Sequence, residues 1–333
     1  MLDLTTLVQA FGMMTRQSAE LENNMNAVER VLYYSSEQLP QERDHVIEGS
    51  EPPASWPATG EIVFKDVVMS YRKDLPAVLK GINLHVEPGS KVGIIGRTGA
   101  GKSSLTQVLF RLVELDSGFI EIDGIDISTL GLGTLRSRLS LIPQEPLLFS
   151  GTIRSNLDPF DQYTDFHLLD AMRKAALIGE TSGGQQVVLP GGQKGRFNLD
   201  TPIESEGQNL SVGERALLSL ARALVKDSQI TILDEATAST DAATDAKIQE
   251  TIRREFGGKT ILCIAHRLRT ILSFDKILVM DVGTCREYAT PLELFCKEDS
   301  LFRSLCIKSD ITLEDIENAQ RQAREDRARC IRM

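Results

Sequence analysis

Nine residues constrain this chain more than any others. Gly96–Ser104 reads GRTGAGKSS, which fits the pattern GxxxxGK[ST], follows the apolar run VGII and precedes a helix-forming stretch from Lys102 to about Glu114. A strand, a glycine-rich turn and a helix in that order make a cradle for phosphate groups. Glycines let the backbone wrap closely, so that amide N–H groups and the helix N-terminus face anionic oxygens. Gly96, Arg97, Thr98, Gly99, Ala100, Gly101, Lys102, Ser103 and Ser104 are therefore candidate nucleotide-binding residues. Lys102 brings a positive charge to the β and γ phosphates, and Ser103 a hydroxyl for magnesium.

The rest of the chain supplies the matching architecture. Strand-like runs EIVFKDVVMSY, INLHV, KVGIIG, FIEIDG, LSLIP, QITILD, TILCIA and KILVMD alternate with helical stretches, which points to an α/β fold with a largely parallel central sheet. Ahead of them, residues 15–35 place Leu21, Met25, Val28 and Leu32 on one face of an amphipathic helix whose apolar stripe wants a partner. Pro40, Pro52, Pro53 and Pro57 mark residues 38–59 as a linker, and the main domain is expected over 60–305. Residues 306–333 read as a polar, helix-prone tail with Arg321, Arg324, Arg327, Arg329 and Arg332 among acidic residues. A solvated tail is the favoured reading over one that meets anionic lipid.

Composition excludes several classes. Lys and Arg total 37 against 47 for Asp and Glu, a net charge of −10, which disfavours a nucleic-acid surface. No apolar run reaches the roughly 20 residues of a membrane helix. The best candidate, the first 14 residues, is short and carries Asp3 and Gln9. No secretory signal is evident, so the chain by itself is expected in the cytosol. Cys263, Cys285, Cys296, Cys306 and Cys330 form no CxxC pair or zinc-spaced cluster and read as reduced thiols.

The second chemical landmark is ITILDEATAS, a buried strand ending in adjacent carboxylates. Side chains alternate along a strand, so Asp234 and Glu235 cannot share a role. Asp234 suits magnesium, and Glu235 suits orienting or deprotonating an attacking water. The competing reading is that one of them caps the following helix.

LSVGE at Leu210–Glu214, followed by RALLSLARAL, resembles the signature motif of ATP-binding-cassette (ABC) proteins. With the phosphate loop, PQEPLLF around Gln144, the turn ending at Asp241 and AHR at His266, it supplies the elements of an ABC nucleotide-binding domain in order. That resemblance implies a P-loop NTPase fold with an antiparallel β subdomain and a helical signature subdomain. It also implies ATP and Mg2+ as cofactors, and a head-to-tail pairing with a second ABC nucleotide-binding domain.

Carried over residue by residue, Tyr71 would stack on adenine, and Ser103, Gln144 and Asp234 would serve magnesium. Glu235 would be the general base, with Lys102 and His266 on the γ-phosphate. Ser211, Gly213 and Glu214 would face ATP held by the partner, and Asp241 would touch that partner. Ordinary readings compete at three of these: edge packing for Tyr71, a strand end for His266 and plain loop for Gln144.

Finer strings, SGTIRSNLDPF and EGQNLSVGERALLSLARAL, resemble the second nucleotide-binding domain of multidrug-resistance-associated (C-subfamily) exporters, closest to the fungal oligomycin-resistance type. ELENNMNAVERVL resembles the cytosolic end of that family's last membrane helix, so residues 1–37 are expected to be that end. Glu214 stands where most ABC signatures carry Gln, and Cys285 and Arg286 lie where the family shows a plainer turn.

The expected function is ATP hydrolysis powering export at the cytoplasmic face of a membrane, by a fragment of a transporter whose transmembrane domains lie outside this chain. Two alternatives stand beside it. One is a truncated ABC module that binds ATP and regulates or pairs with other transporter chains. The other is a soluble ABC ATPase of translation or DNA repair, which the single cassette and acidic charge disfavour.

Overall fold

The computed structural model describes residues 3–36, 42–72, 74–178, 197–234, 242–265 and 267–330. It divides into two compact units, Met1–Asp44 and His45–Met333. The first is the helix α1 (Leu4–Ser35), in which no residue is buried. It begins well before the stretch expected from periodicity, because nothing from Leu4 to Met14 stops a helix except the tolerable Gly12. Among the described residues no helix is long and apolar enough to cross a membrane.

The second unit runs β1 (Ile62–Met69), β2 (Leu79–Val86), β3 (Lys91–Gly96), α2 (Lys102–Leu109), β4 (Ser117–Ile122), β5 (Ile125–Asp126), α3 (Leu132–Arg138), β6 (Leu139–Ile142), β7 (Gly151–Thr152), α4 (Ile153–Leu157) and α5 (Asp165–Lys174). It continues with β8 (Pro202–Ile203), α6 (Val212–Lys226), β9 (Ile230–Asp234), α7 (Ala242–Glu255), β10 (Thr260–Ile264), α8 (Leu268–Ile271), β11 (Lys276–Asp281), β12 (Thr284–Ala289), α9 (Pro291–Cys296), α10 (Leu301–Lys308) and α11 (Leu313–Cys330).

Two sheets organise the unit. One has the order β12-β11-β3-β10-β9-β6, parallel from β11 to β6 with β12 antiparallel at its edge. Its inner strands read as unbroken apolar runs because both faces are covered. The other, β2-β1-β4-β5, is antiparallel, and its strands alternate between core and solvent. One hydrophobic cluster fills the space between the two sheets and takes in Leu105 and Leu109 of α2. A second lies against the other face of the parallel sheet, under α5, α6, α7 and the C-terminal helices.

Three segments differ from the sequence reading. The helix after the phosphate loop stops at Leu109 rather than near Glu114. Arg111 adopts φ 49°, and its buried guanidinium donates to the carbonyls of Ile127 and Leu130. The described part of the expected linker forms no helix or strand, yet it is packed on the domain from His45 onward. The His45 carbonyl accepts from Gly133 N–H, and Trp56, 4% exposed, donates its indole N–H to the Ile122 carbonyl at 2.9 Å.

Asp123 ties down the end of that segment by accepting from the Thr59 hydroxyl and from the Thr59 and Glu61 amides. Burial works against the Asp123 charge, but these hydrogen bonds outweigh it and hold the carboxyl below its ordinary pKa. The third segment is the polar tail, which is docked as well. Cys306, Ile311 and Ile316 are core residues, and the Gln320 side chain donates to the carbonyls of Leu272 and Phe274.

Candidate nucleotide-binding site

Parallel pairing aligns the strand ends that carry the chemistry. Ile264 pairs with both Ile94 and Asp234, Ile142 pairs with Leu233, and Met280 pairs with Gly96. The phosphate loop after β3, Asp234 at the end of β9 and Gln144 just past β6 therefore leave one edge of one sheet. This is the carboxyl edge where open α/β sheets bind ligands.

The phosphate loop is braced from both sides. Its own turn closes through Ala100 N–H to the Arg97 carbonyl, and the Ala100 carbonyl accepts from Gly283 N–H in the β11–β12 turn. Gly96 lies so close to β11 that a Cβ there would sit 2.4 Å from the Met280 carbonyl oxygen. Lys102 is 7% exposed, and its ammonium donates to the carbonyls of Gly96 at 3.0 Å and Arg97 at 3.3 Å. The charge is thereby held across the mouth of the loop. Ser103 is exposed in the first turn of α2, while Ser104 is buried beneath it.

Tyr71, just past β1, reaches α2 behind the phosphate loop. Its hydroxyl lies 2.9 Å from Ser104 Oγ and donates to Gln107 Oε1 at 2.8 Å, and its side chain is half-exposed. Gln107 escaped the sequence reading, although it lies three residues beyond Ser104 on the same helix face. Asp234 is half-buried. Burial, with the Asp234 charge adding to it, pushes the Cys263 thiol up to about 12, which favours the protonated thiol. Gln144 is exposed. Glu235, Asp241 and His266 lie outside the described residues.

The signature residues start α6. Ser211 is its N-cap, and a capping box joins it to Glu214. Ser211 Oγ accepts from Glu214 N–H at 3.2 Å, and the Glu214 carboxylate accepts from Ser211 N–H at 2.7 Å. Ser211 faces solvent, and its hydroxyl keeps a proton to donate. Gly213 abuts α7, where an added Cβ would lie 3.0 Å from Thr244 Oγ1.

Further along α6, Arg222 spends its guanidinium on the carbonyls of Leu147 and Asn156 and on Asn156 Oδ1. Buried Asn156 in turn holds Phe149 through both backbone groups. This clamp on the segment after Gln144 also escaped the sequence reading, since its halves lie 66 residues apart.

A phosphate cradle at the carboxyl edge of a parallel sheet, flanked by an antiparallel sheet and a helical signature segment, defines a nucleotide-binding domain of the P-loop class. Residues 79–238 match the family model for ABC transporters, and this part of the chain is an ABC transporter nucleotide-binding domain. The chain is 52% identical over 317 residues to the ABC-type transporter cicA of Emericella nidulans, which covers 94% of this chain and 23% of that protein. It is 48% identical over 324 residues to the oligomycin resistance ATP-dependent permease YOR1 of Saccharomyces cerevisiae, covering 95% of this chain and 22% of the permease. The resemblance to fungal C-subfamily transporters read from the motifs is thus borne out. The chain spans less than a quarter of the length of these relatives. A solved structure described as a bacterial Atm1-family ABC exporter with ATP bound superposes with a TM-score of 0.71 at 30% identity, over 93% of this chain and 51% of that one.

Proposed function

We propose that this chain binds and hydrolyses ATP and that the hydrolysis powers export, the chain being the C-terminal nucleotide-binding part of an ABC exporter at the cytoplasmic face of a membrane. The observation that carries this reading is the convergence of the braced phosphate loop, Lys102, Asp234 and Gln144 on one sheet edge. Lys102 and the loop amides hold the β and γ phosphates, and the Tyr71 ring receives the adenine. Ser103, Gln144 and Asp234 are hard oxygen donors, few in number, which fits a Mg2+ ion whose remaining ligands are phosphate oxygens and water. Such an ion would neutralise charge developing on the transferred phosphate. Glu235 takes the proton of the attacking water, and His266 contacts the γ-phosphate and positions both.

Ser211 and Gly213 would cap the γ-phosphate of ATP held by a second ABC nucleotide-binding domain in a head-to-tail pair. Glu214 supports that cap from behind through the capping box, and Asp241 meets the partner. Closure on ATP and reopening after hydrolysis would move transmembrane domains carried elsewhere.

Steady-state ATPase activity measured against chain concentration tests the composite site: the turnover per chain should rise steeply with concentration as pairs form. Full activity in a strictly monomeric sample contradicts it. Glu235→Gln should keep nucleotide binding and lower turnover on the order of 100-fold or more, the scale of a lost general base. Undiminished turnover in that variant rules out Glu235 as the base.

A further inference from the structure

Tyr71 is the weakest-held part of the candidate site by sequence logic, yet the structure anchors it. It opens the exposed connection between β1 and β2, where Arg72, Asp74 and Leu75 all face solvent. An aromatic side chain in such a place ordinarily samples several rotamers, and ordering it on binding costs affinity. Here the phenol has one proton and donates it to Gln107 Oε1 at 2.8 Å. The 2.9 Å contact with Ser104 Oγ must then run the other way, with the serine hydroxyl donating to the phenol oxygen. Ser104 and Gln107 are neighbours one turn apart on α2, the helix whose N-terminus forms the phosphate loop. The preceding residue is fixed too, since Ser70 Oγ donates to Asp116 Oδ2 at 2.6 Å.

We propose that Ser104 and Gln107 are positioning residues for the Tyr71 ring, and that the hydrogen-bond chain Ser104–Tyr71–Gln107 sets the base platform at a fixed place relative to the phosphate loop. The inference rests on the reading above that Tyr71 receives the nucleobase and Lys102 the phosphates. Beyond that reading, the two recognition elements are joined through α2, so the site is prepared for a nucleoside triphosphate before any ligand arrives. A ring that acts by stacking alone needs no hydroxyl, and phenylalanine would serve as well. A ring held by its hydroxyl loses preorganisation when the hydroxyl or its acceptor is removed.

Equilibrium binding of ATP and of inorganic tripolyphosphate, measured side by side, separates these cases. Tyr71→Phe and Gln107→Leu should each weaken ATP about 3- to 10-fold, the equivalent of one side chain's ordering cost, and leave tripolyphosphate unchanged. The double variant should be no worse than the worse single, because either change breaks the same chain. Wild-type ATP affinity in both single variants overturns the proposal. Equal weakening of ATP and tripolyphosphate also overturns it, because the hydrogen bonds then serve the phosphate loop rather than the base platform. Failure of the nucleotide reading itself looks different: wild-type protein would bind neither ligand, or Lys102→Ala would bind both undiminished.

Discussion

Two helices begin at the residues expected to touch nucleotide, and they begin in opposite ways. α2 starts from Gly101, which adopts φ 96° and offers no side-chain cap, so its first amides are not satisfied by the residue that precedes them. α6 starts from Ser211 with a complete capping box, its N-cap amide and its N3 amide both bonded within the turn. The first helix end is sunk into the core and carries a buried lysine, while the second faces solvent. On the function proposed above, the difference separates two jobs. A phosphate cradle must keep amide donors available and is held in shape by its surroundings. A surface that meets a nucleotide bound elsewhere must hold its own shape, and the capping box does that locally.

Breaking the cradle should have the largest effect. Lys102→Ala removes the charge held across the loop and should weaken ATP binding on the order of 100-fold, which corresponds to ~2.7 kcal/mol. Isothermal titration measures it, and an affinity within a factor of three of wild type contradicts the assignment. A paired glycine test comes next. Gly96→Ala drives a Cβ against the Met280 backbone carbonyl and should cost roughly 2 kcal/mol or more of stability, because a strand cannot yield as a side chain can. Gly213→Ala meets the Thr244 side chain, at 3.0 Å from Oγ1, 3.1 Å from Cγ2 and 3.4 Å from Cβ, and the helix-propensity gain of about 1 kcal/mol offsets that milder crowding. Denaturant melts of both variants decide the contrast, which collapses if the two are destabilised equally.

That asymmetry also governs what was legible in the sequence. The phosphate loop, the acidic strand end and the capping box are local, so GRTGAGKSS, ITILDE and SVGE announce them directly. β3 and β9 were legible because buried parallel strands are apolar on both faces. What stayed hidden depends on partners far along the chain. Trp56 looked like part of a proline-rich linker, and only the Ile122 carbonyl, 66 residues away, makes it a core residue. The tail from Ile311 averages to a polar composition, which conceals the thin buried stripe of Ile311 and Ile316. Arg222 sits in a run that reads as plain helix, and nothing in its neighbourhood points to Asn156.

The Arg222 clamp qualifies the contrast, since α6 is exposed at its start and firmly held further along. Arg222→Ala would take the donor from the Leu147 and Asn156 carbonyls and leave Asn156 Oδ1 with Phe149 N–H, and should cost about 2 kcal/mol, within the range for unsatisfied buried groups. Arg222→Lys should recover less than half of that, because a single ammonium cannot span three acceptors fixed for a planar fork. Thermal denaturation is the measurement. Full recovery by lysine would show that the charge, rather than the fork, holds the segment after Gln144.

The smallest effect tests the helix start itself. Glu214 stands where the resemblance to most ABC signatures leads one to expect glutamine, and its carboxylate shapes the turn by accepting from Ser211 N–H. Glutamine presents an amide oxygen in the same place, so Glu214→Gln should leave stability within about 0.5 kcal/mol of wild type, while Glu214→Ala should lose about 1 kcal/mol with the cap. Paired-domain ATPase activity supplies the second reading. If glutamine preserves both stability and turnover, residue 214 acts by shaping the Ser211 turn, and either residue serves. If glutamine preserves stability but changes turnover several-fold, the negative charge reaches the partner's nucleotide, and the exposed helix end does more than hold its own geometry.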